Sequence, residues 1–129
     1  MSSEHYHIEL RTVGEYLHAS VSGENSIANV NRYLSDIRAA VEESGVKRVL
    51  IEDHLTGEGL DTFDVFDIIR NYGRYARDHK LRIAYIDRDR EHHRTTVSFG
   101  ENLANILGVT IHVFAEHDEA VTWLLAGPQ

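Results

Sequence analysis

The chain has 129 residues, 42% of them hydrophobic and 26% charged, which is the make-up of one globular domain that can bury a core without a metal or disulfide staple. It has no cysteine, which excludes disulfides, thiolate nucleophiles, Cys-based zinc sites and Cys-ligated iron–sulfur clusters. The 13 basic residues against 21 acidic ones give a net charge of −8, the wrong overall sign for neutralising nucleic-acid phosphates.

The first ten residues, MSSEHYHIEL, lack the basic start and apolar centre of a signal peptide. No apolar run approaches the ~20 residues needed to span a bilayer, so a cytoplasmic protein without a transmembrane segment is expected. Tyr6, Ile8 and Leu10 alternate apolar with polar, which is strand period. Gly14-Glu15 makes a short turn, and Tyr16 to Val21 reads as the second strand of a hairpin. Gly23 to Ser26 is read as a loop and helix start. Ile27, Val30, Leu34, Ile37 and Val41 then fall on one helical face, and Gly45 is the expected stop.

Val46 to Ile51 is a short apolar run, read as a buried strand, followed by a loop from His54 to Gly59. Asp61 or Thr62 opens a second helix, with Phe63, Phe66, Ile69, Tyr72 or Gly73, and Ala76 expected towards the core. Leu81 to Ile86 is the next strand. Arg88 to Arg94 is charged without an apolar anchor and reads as a loop. Thr95 to Leu107 reads as a helix stopped by Gly108, Val109 to Phe114 as the last strand, and His117 to Leu125 as the last helix. The order is β-β-α-β-α-β-α-β-α. Strands separated by helices require a mostly parallel sheet of four to five strands, here with an antiparallel N-terminal hairpin, in one α/β domain spanning 1–129.

Three stretches carry a resemblance. They are Lys47 to Asp53, Arg82 to Asp87, and Phe99 to Val109 running into Ile111 to Phe114 and then Asp118 to Leu124. In these the chain resembles the SpoIIAA-like family, a relative of the STAS fold of anti-sigma-factor antagonists. The resemblance implies a mostly non-enzymatic domain that binds protein partners, nucleotides or lipids, in some members switched by phosphorylation. In the antagonist branch the modified hydroxyl lies in an Asp-Ser-Ser or Asp-Ser-Thr segment after the central strand. That motif is absent here. Asp61-Thr62 is the nearest equivalent by position, and Thr56 is the other hydroxyl.

The function expected is therefore a non-enzymatic regulatory or binding module, needing no cofactor and no metal. Its expected contact surface with an unknown protein partner covers residues 53 to 66, with Asp53, Glu58, Asp61 and Asp64 as the acidic contacts. The alternative is a small carrier of an apolar or lipid-like ligand. The second helix has apolar residues on more than one stripe. Phe63, Phe66 and Tyr72 thus serve either such a ligand or a homodimer contact. A third reading is a hydrolase-like enzyme using Asp53 and Asp87, since open α/β sheets place active sites at strand C-termini. Nine histidines raise a metal site, but His5 and His7 are only a pair, and adjacent His92 and His93 diverge by about 100° on a helix.

Overall fold

The alternating start of the chain forms an antiparallel hairpin of β1 (Tyr6–Val13) and β2 (Tyr16–Glu24), turned at Gly14 with φ 59°. The computed structural model describes residues 6–57, 60–88 and 90–126, the side chains of 90–94 excepted. After the hairpin come α1 (Ile27–Ser44), β3 (Arg48–Thr56), α2 (Thr62–Asp78), β4 (Arg82–Asp87), α3 (Arg90–Ile106), β5 (Thr110–Phe114) and α4 (His117–Ala126). The five strands form one sheet in the order β1-β2-β3-β4-β5, with every pair after the hairpin parallel. The expected mixed α/β sheet is what the chain adopts.

Each parallel step moves one strand in the same direction. Right-handed crossovers then put α1, α2 and α3 on one face of the sheet. The core divides accordingly. Val49, Ile51 and Leu55 of β3 point to α1–α3, where Val30, Tyr33, Ile37, Ile68 and Ala104 meet them. Leu50 points the other way, with Ala84 and Ile86 of β4, and is covered by Ala120 and Leu124 of α4. The period of two along β3 and β4 thus feeds two cores.

The helix ends follow their capping chemistry. Ser26 accepts a hydrogen bond from the Asn29 N–H at 3.1 Å, and Gly45 closes α1 at φ 75°. Asp61 caps α2 in a reciprocal box with Asp64.

Two boundaries differ most from expectation. β3 runs on to Thr56 where a stop near Ile51 was expected, because Glu52 and Asp53 find polar partners on the two faces of the sheet. Leu55, placed in a loop by sequence reading, is 0% exposed. α3 starts at Arg90, ahead of the expected Thr95, since Arg, Glu and His are tolerable helix residues.

The inward face of α2 is corrected at Phe63 and Phe66, whereas Gly73 and Ala76 are buried as expected. Val65, Ile68, Gly73 and Ala76 are buried there, while Phe63 is 79% and Phe66 45% exposed. One residue is about 100° on a helix, so the Val65–Ile68 face and the Phe63–Phe66 face cannot both meet the sheet. The helix turns its branched aliphatic side inward.

Candidate functional site

The strands bring two carboxylates together at the C-terminal edge of the sheet. Asp53 of β3 and Asp87 of β4 occupy the same register position on neighbouring parallel strands. Both point to the α1–α3 side by alternation, and both are buried, at 4% and 3% exposure. They line the end of a cavity of about 180 Å³ between the sheet and the helices, whose walls are otherwise mostly aliphatic: Ile51, Ile68, Ile83 and Ile111 among them. This meets the geometric condition of the carboxylate-pair reading: the two acids are adjacent and face a common cavity.

Asp53 is held firmly. Its Oδ1 accepts from the Leu55 N–H at 2.8 Å, and the Tyr85 hydroxyl donates to its Oδ2. The Tyr85 phenol is pushed well above its ordinary range, first by burial and then by the Asp53 charge. Burial and then Asp53 likewise push Tyr33 up, against the opposing effect of its hydrogen bond with Tyr85. Both phenols therefore stay protonated and act as neutral donors. Gly100 of α3 lets the roof close, since a Cβ there would stand 3.1 Å from Val65 Cγ1 of α2.

Of the acidic residues expected to touch a partner, Asp53 is corrected. It is buried at the cavity end, because β3 continues past it and alternation turns it inward. Asp61 is exposed, Asp64 is half-buried, and both are engaged in the α2 capping box; Glu58 lies outside the described residues. Thr56 and Thr62 are both exposed, at the end of β3 and the first turn of α2. Tyr72 lines the cavity and its hydroxyl lies 3.2 Å from Ser35 Oγ of α1, whereas Phe63 and Phe66 do not line it. His5 lies outside the described residues, as do the side chains of His92 and His93. No group of three or more His, Asp or Glu among the described residues is placed to hold a metal ion. No helix among them is long and apolar enough to cross a membrane.

Two features were missed by sequence reading. Tyr33 and Tyr85 belong to the polar end of the cavity; the alternation Ile83, Tyr85, Asp87 already placed Tyr85 beside the carboxylate. The second is a network around Glu52 on the opposite face. Glu52 accepts from Arg88 at 2.9 and 3.1 Å, with His18 Nε2 at 3.1 Å and His54 Nε2 at 3.3 Å. Burial raises the Glu52 carboxyl, but the Arg88 and His18 hydrogen bonds and the charges of Arg88 and His54 together outweigh it and hold it below its ordinary value. A carboxyl lowered in the folded state contributes stability above the ordinary carboxylate range, lost as pH falls through the lowered value. Glu52→Gln should therefore flatten the acid limb of the stability–pH curve measured by urea denaturation. An unchanged acid limb would show that Glu52 does not couple to folding.

No family model and no curated protein matches the sequence. Solved structures do. A serine-to-glutamate variant of RsbS from Moorella thermoacetica superposes with a TM-score of 0.60 at 14% identity, covering 92% of this chain and 95% of that one. An uncharacterized protein of the DUF3478 family from Shewanella loihica PV-4, described as having a SpoIIAA-like fold, superposes with a TM-score of 0.54 at 17% identity over 96% of this chain and 98% of that one. The chain has a SpoIIAA-like fold. The NMR structure of the protein TM1081 is similar again, with a TM-score of 0.62 at 15% identity over 98% and 95% of the two chains. In this SpoIIAA-like frame the carboxylate pair sits at the ends of the two strands that carried much of the sequence resemblance, β3 and β4.

Proposed function

We propose that this protein is a non-enzymatic regulatory module that acts through protein–protein contacts at the start of α2. The observation that carries the reading is the outward placement of Phe63 and Phe66, at 79% and 45% exposure, beside Asp61, Asp64 and Asp67. Interface cores favour aromatic anchors, and a mostly acidic rim selects basic partners, Arg70 being paired with Asp67 at 3.8 Å and lying 5.9 Å from the centre of the Phe66 ring. The partner expected is thus a protein surface with an apolar pocket ringed by Lys or Arg, or a second copy offering Arg70 and Arg74 of α2. The fold shared with RsbS supports a regulatory role, as does the sequence resemblance to anti-sigma-factor antagonists. We place the working compartment in the cytoplasm, and leave Thr62 and Thr56 as the hydroxyls on which a phosphoryl switch would act.

The capping box sets how this is tested. Charge reversal at Asp61 would remove a cap worth about 0.5–2 kcal/mol, mixing stability with contact. Asp61→Asn keeps the cap and removes the charge, and Asp67→Lys reverses an exposed one whose nearest cation, Arg70, is 3.8 Å away. A photo-crosslinking residue at position 63 should capture one defined protein, or a second copy of the chain. Capture should drop about tenfold in the Asp61→Asn, Asp67→Lys background with circular dichroism unchanged. Equal capture from a control crosslinker at position 106, on another exposed apolar residue, would overturn the reading.

A second reading, the small-ligand carrier, is favoured by one observation, the cavity beneath α2. Its walls are those of α2's inner face and not Phe63 or Phe66. The two readings therefore use opposite sides of one helix.

A further inference from the structure

The cavity beneath α2 has a size and a sign, and the two narrow its ligand more than an apolar lining does. An apolar cavity of about 150 Å³ is enough to take up benzene. The cavity here, at about 180 Å³, has room for one ring with a short substituent. Three carboxylates line it, Asp53, Asp87 and Glu101, and among the described residues no Lys, Arg or His does. Glu101 is spent on β5, where its Oε2 accepts from the Val113 N–H at 3.1 Å. Asp53 and Asp87 are buried side by side at one end, so an ammonium placed there meets two carboxyl groups in a region of low dielectric, where one cation offsets the repulsion between them. The phenols beside them, Tyr33 and Tyr85, are neutral. The aliphatic walls repel charge, and the acidic end repels anions.

We propose that this cavity binds a small apolar amine, with its ring or short chain against Ile68, Ile69, Ile83 and Ile111 and its ammonium at the Asp53–Asp87 end. The inference rests on the ligand-carrier reading and narrows it: a compact cation takes the place of a lipid-like ligand. Both carboxylates have partners within the protein already. A carboxylate offers about four lone-pair sites, so the ammonium adds to those partners without displacing them. Ligand placed there also presses on the inner face of the helix whose outer face carries Phe63 and Phe66.

Benzylamine, toluene and benzoate share one ring and differ in charge, which makes them the probes. Each is titrated into the full chain and followed by the amide chemical shifts of β3, β4 and α2. Benzylamine should bind about tenfold or more tightly than toluene, through a charge-assisted hydrogen bond, and benzoate should not bind. Asp87→Asn should remove that tenfold preference and leave toluene unchanged. Ala76→Leu, which grows from a lining position into the space, should abolish both. The charge series on the unaltered protein stands even where a variant fails to fold. Toluene matching benzylamine would overturn the cationic head group and leave the carrier reading in place. Benzoate binding best would overturn the sign of the site. Absence of binding by all three probes would overturn the carrier reading together with the inference. Benzylamine binding that survives Ala76→Leu in a folded protein would overturn the location.

Discussion

Leu124→Ala should destabilise the protein by about 2–5 kcal/mol, the range for emptying a buried leucine site. Leu124 is 0% exposed and sits on Leu50, Ala84 and Ile86. The asymmetry of the layers makes this site costly. Three helices share the face that carries the cavity, whereas α4 is the only described helix on the other face. α4 spans ten residues, too short for stability by itself, so its helicity depends on docking. Ala120, the other fully buried residue of the helix, is too small to hold it alone. Urea denaturation followed by circular dichroism measures the loss, and the single tryptophan, Trp123, reports locally on α4. A cost under about 1 kcal/mol would mean that α4 is not seated on the sheet as described. The ligand site, on the opposite face, should keep its probe affinities.

Arg82→Ala should cost about 2 kcal/mol, from the loss of charged hydrogen bonds and cation–π stacking at one residue. The Arg82 guanidinium lies 3.7 Å from the centre of the Trp123 ring, and its Nε and a terminal nitrogen donate to the Trp123 carbonyl at 3.3 and 2.9 Å. That carbonyl belongs to the last turn of α4, where a backbone acceptor needs a donor. Burial first, and then repulsion by neighbouring Arg48, lowers the Arg82 pKa, so part of the gain is offset in the folded state. Arg82→Lys keeps the charge but loses the planar fork and the stacking. It should recover less than half of the loss in the same denaturation measurement. Full recovery by lysine would show that charge alone matters there, against the stacked geometry. Leu124 and Arg82 both act through α4, so their costs should not add.

Alternation and helical period carried most of the architecture, and they did so for a physical reason. The hairpin, the three crossover segments, the closing helix and their order depend on which residues avoid water, and that preference is local to each side chain. Gly45, Gly108 and the Asp61-Thr62 start show up in the sequence because helix ends need particular backbone geometry or a particular oxygen. Where the pattern was ambiguous, it failed. α2 has two apolar stripes, and no local rule says which stripe meets the sheet. Val65 and Ile68 face inward in place of Phe63 and Phe66, with Val65 in close approach to α3. Gly100 marks that close approach, with Val65 where its Cβ would be.

The site shows the same division. Asp53 and Asp87 were legible as acids ending apolar strands, and the parallel order already implied a shared edge of the sheet. Their burial, their register and the Tyr85–Asp53 contact were not legible, because each depends on strand pairing between segments 32 to 34 residues apart in sequence, and Tyr33 arrives from the helix α1. Glu52 lay one residue from Asp53 and was passed over, yet the pleat sends it to the other face and into a separate network with His18 and Arg88. By itself the sequence determined the class of fold, the absence of thiol chemistry and the acids at the strand ends. Only the tertiary structure decided which acids are buried together, which face of α2 is left for a partner, and that a cavity lies beneath it, because cavities and like-charge pairs are properties of surfaces that meet only when the chain has closed.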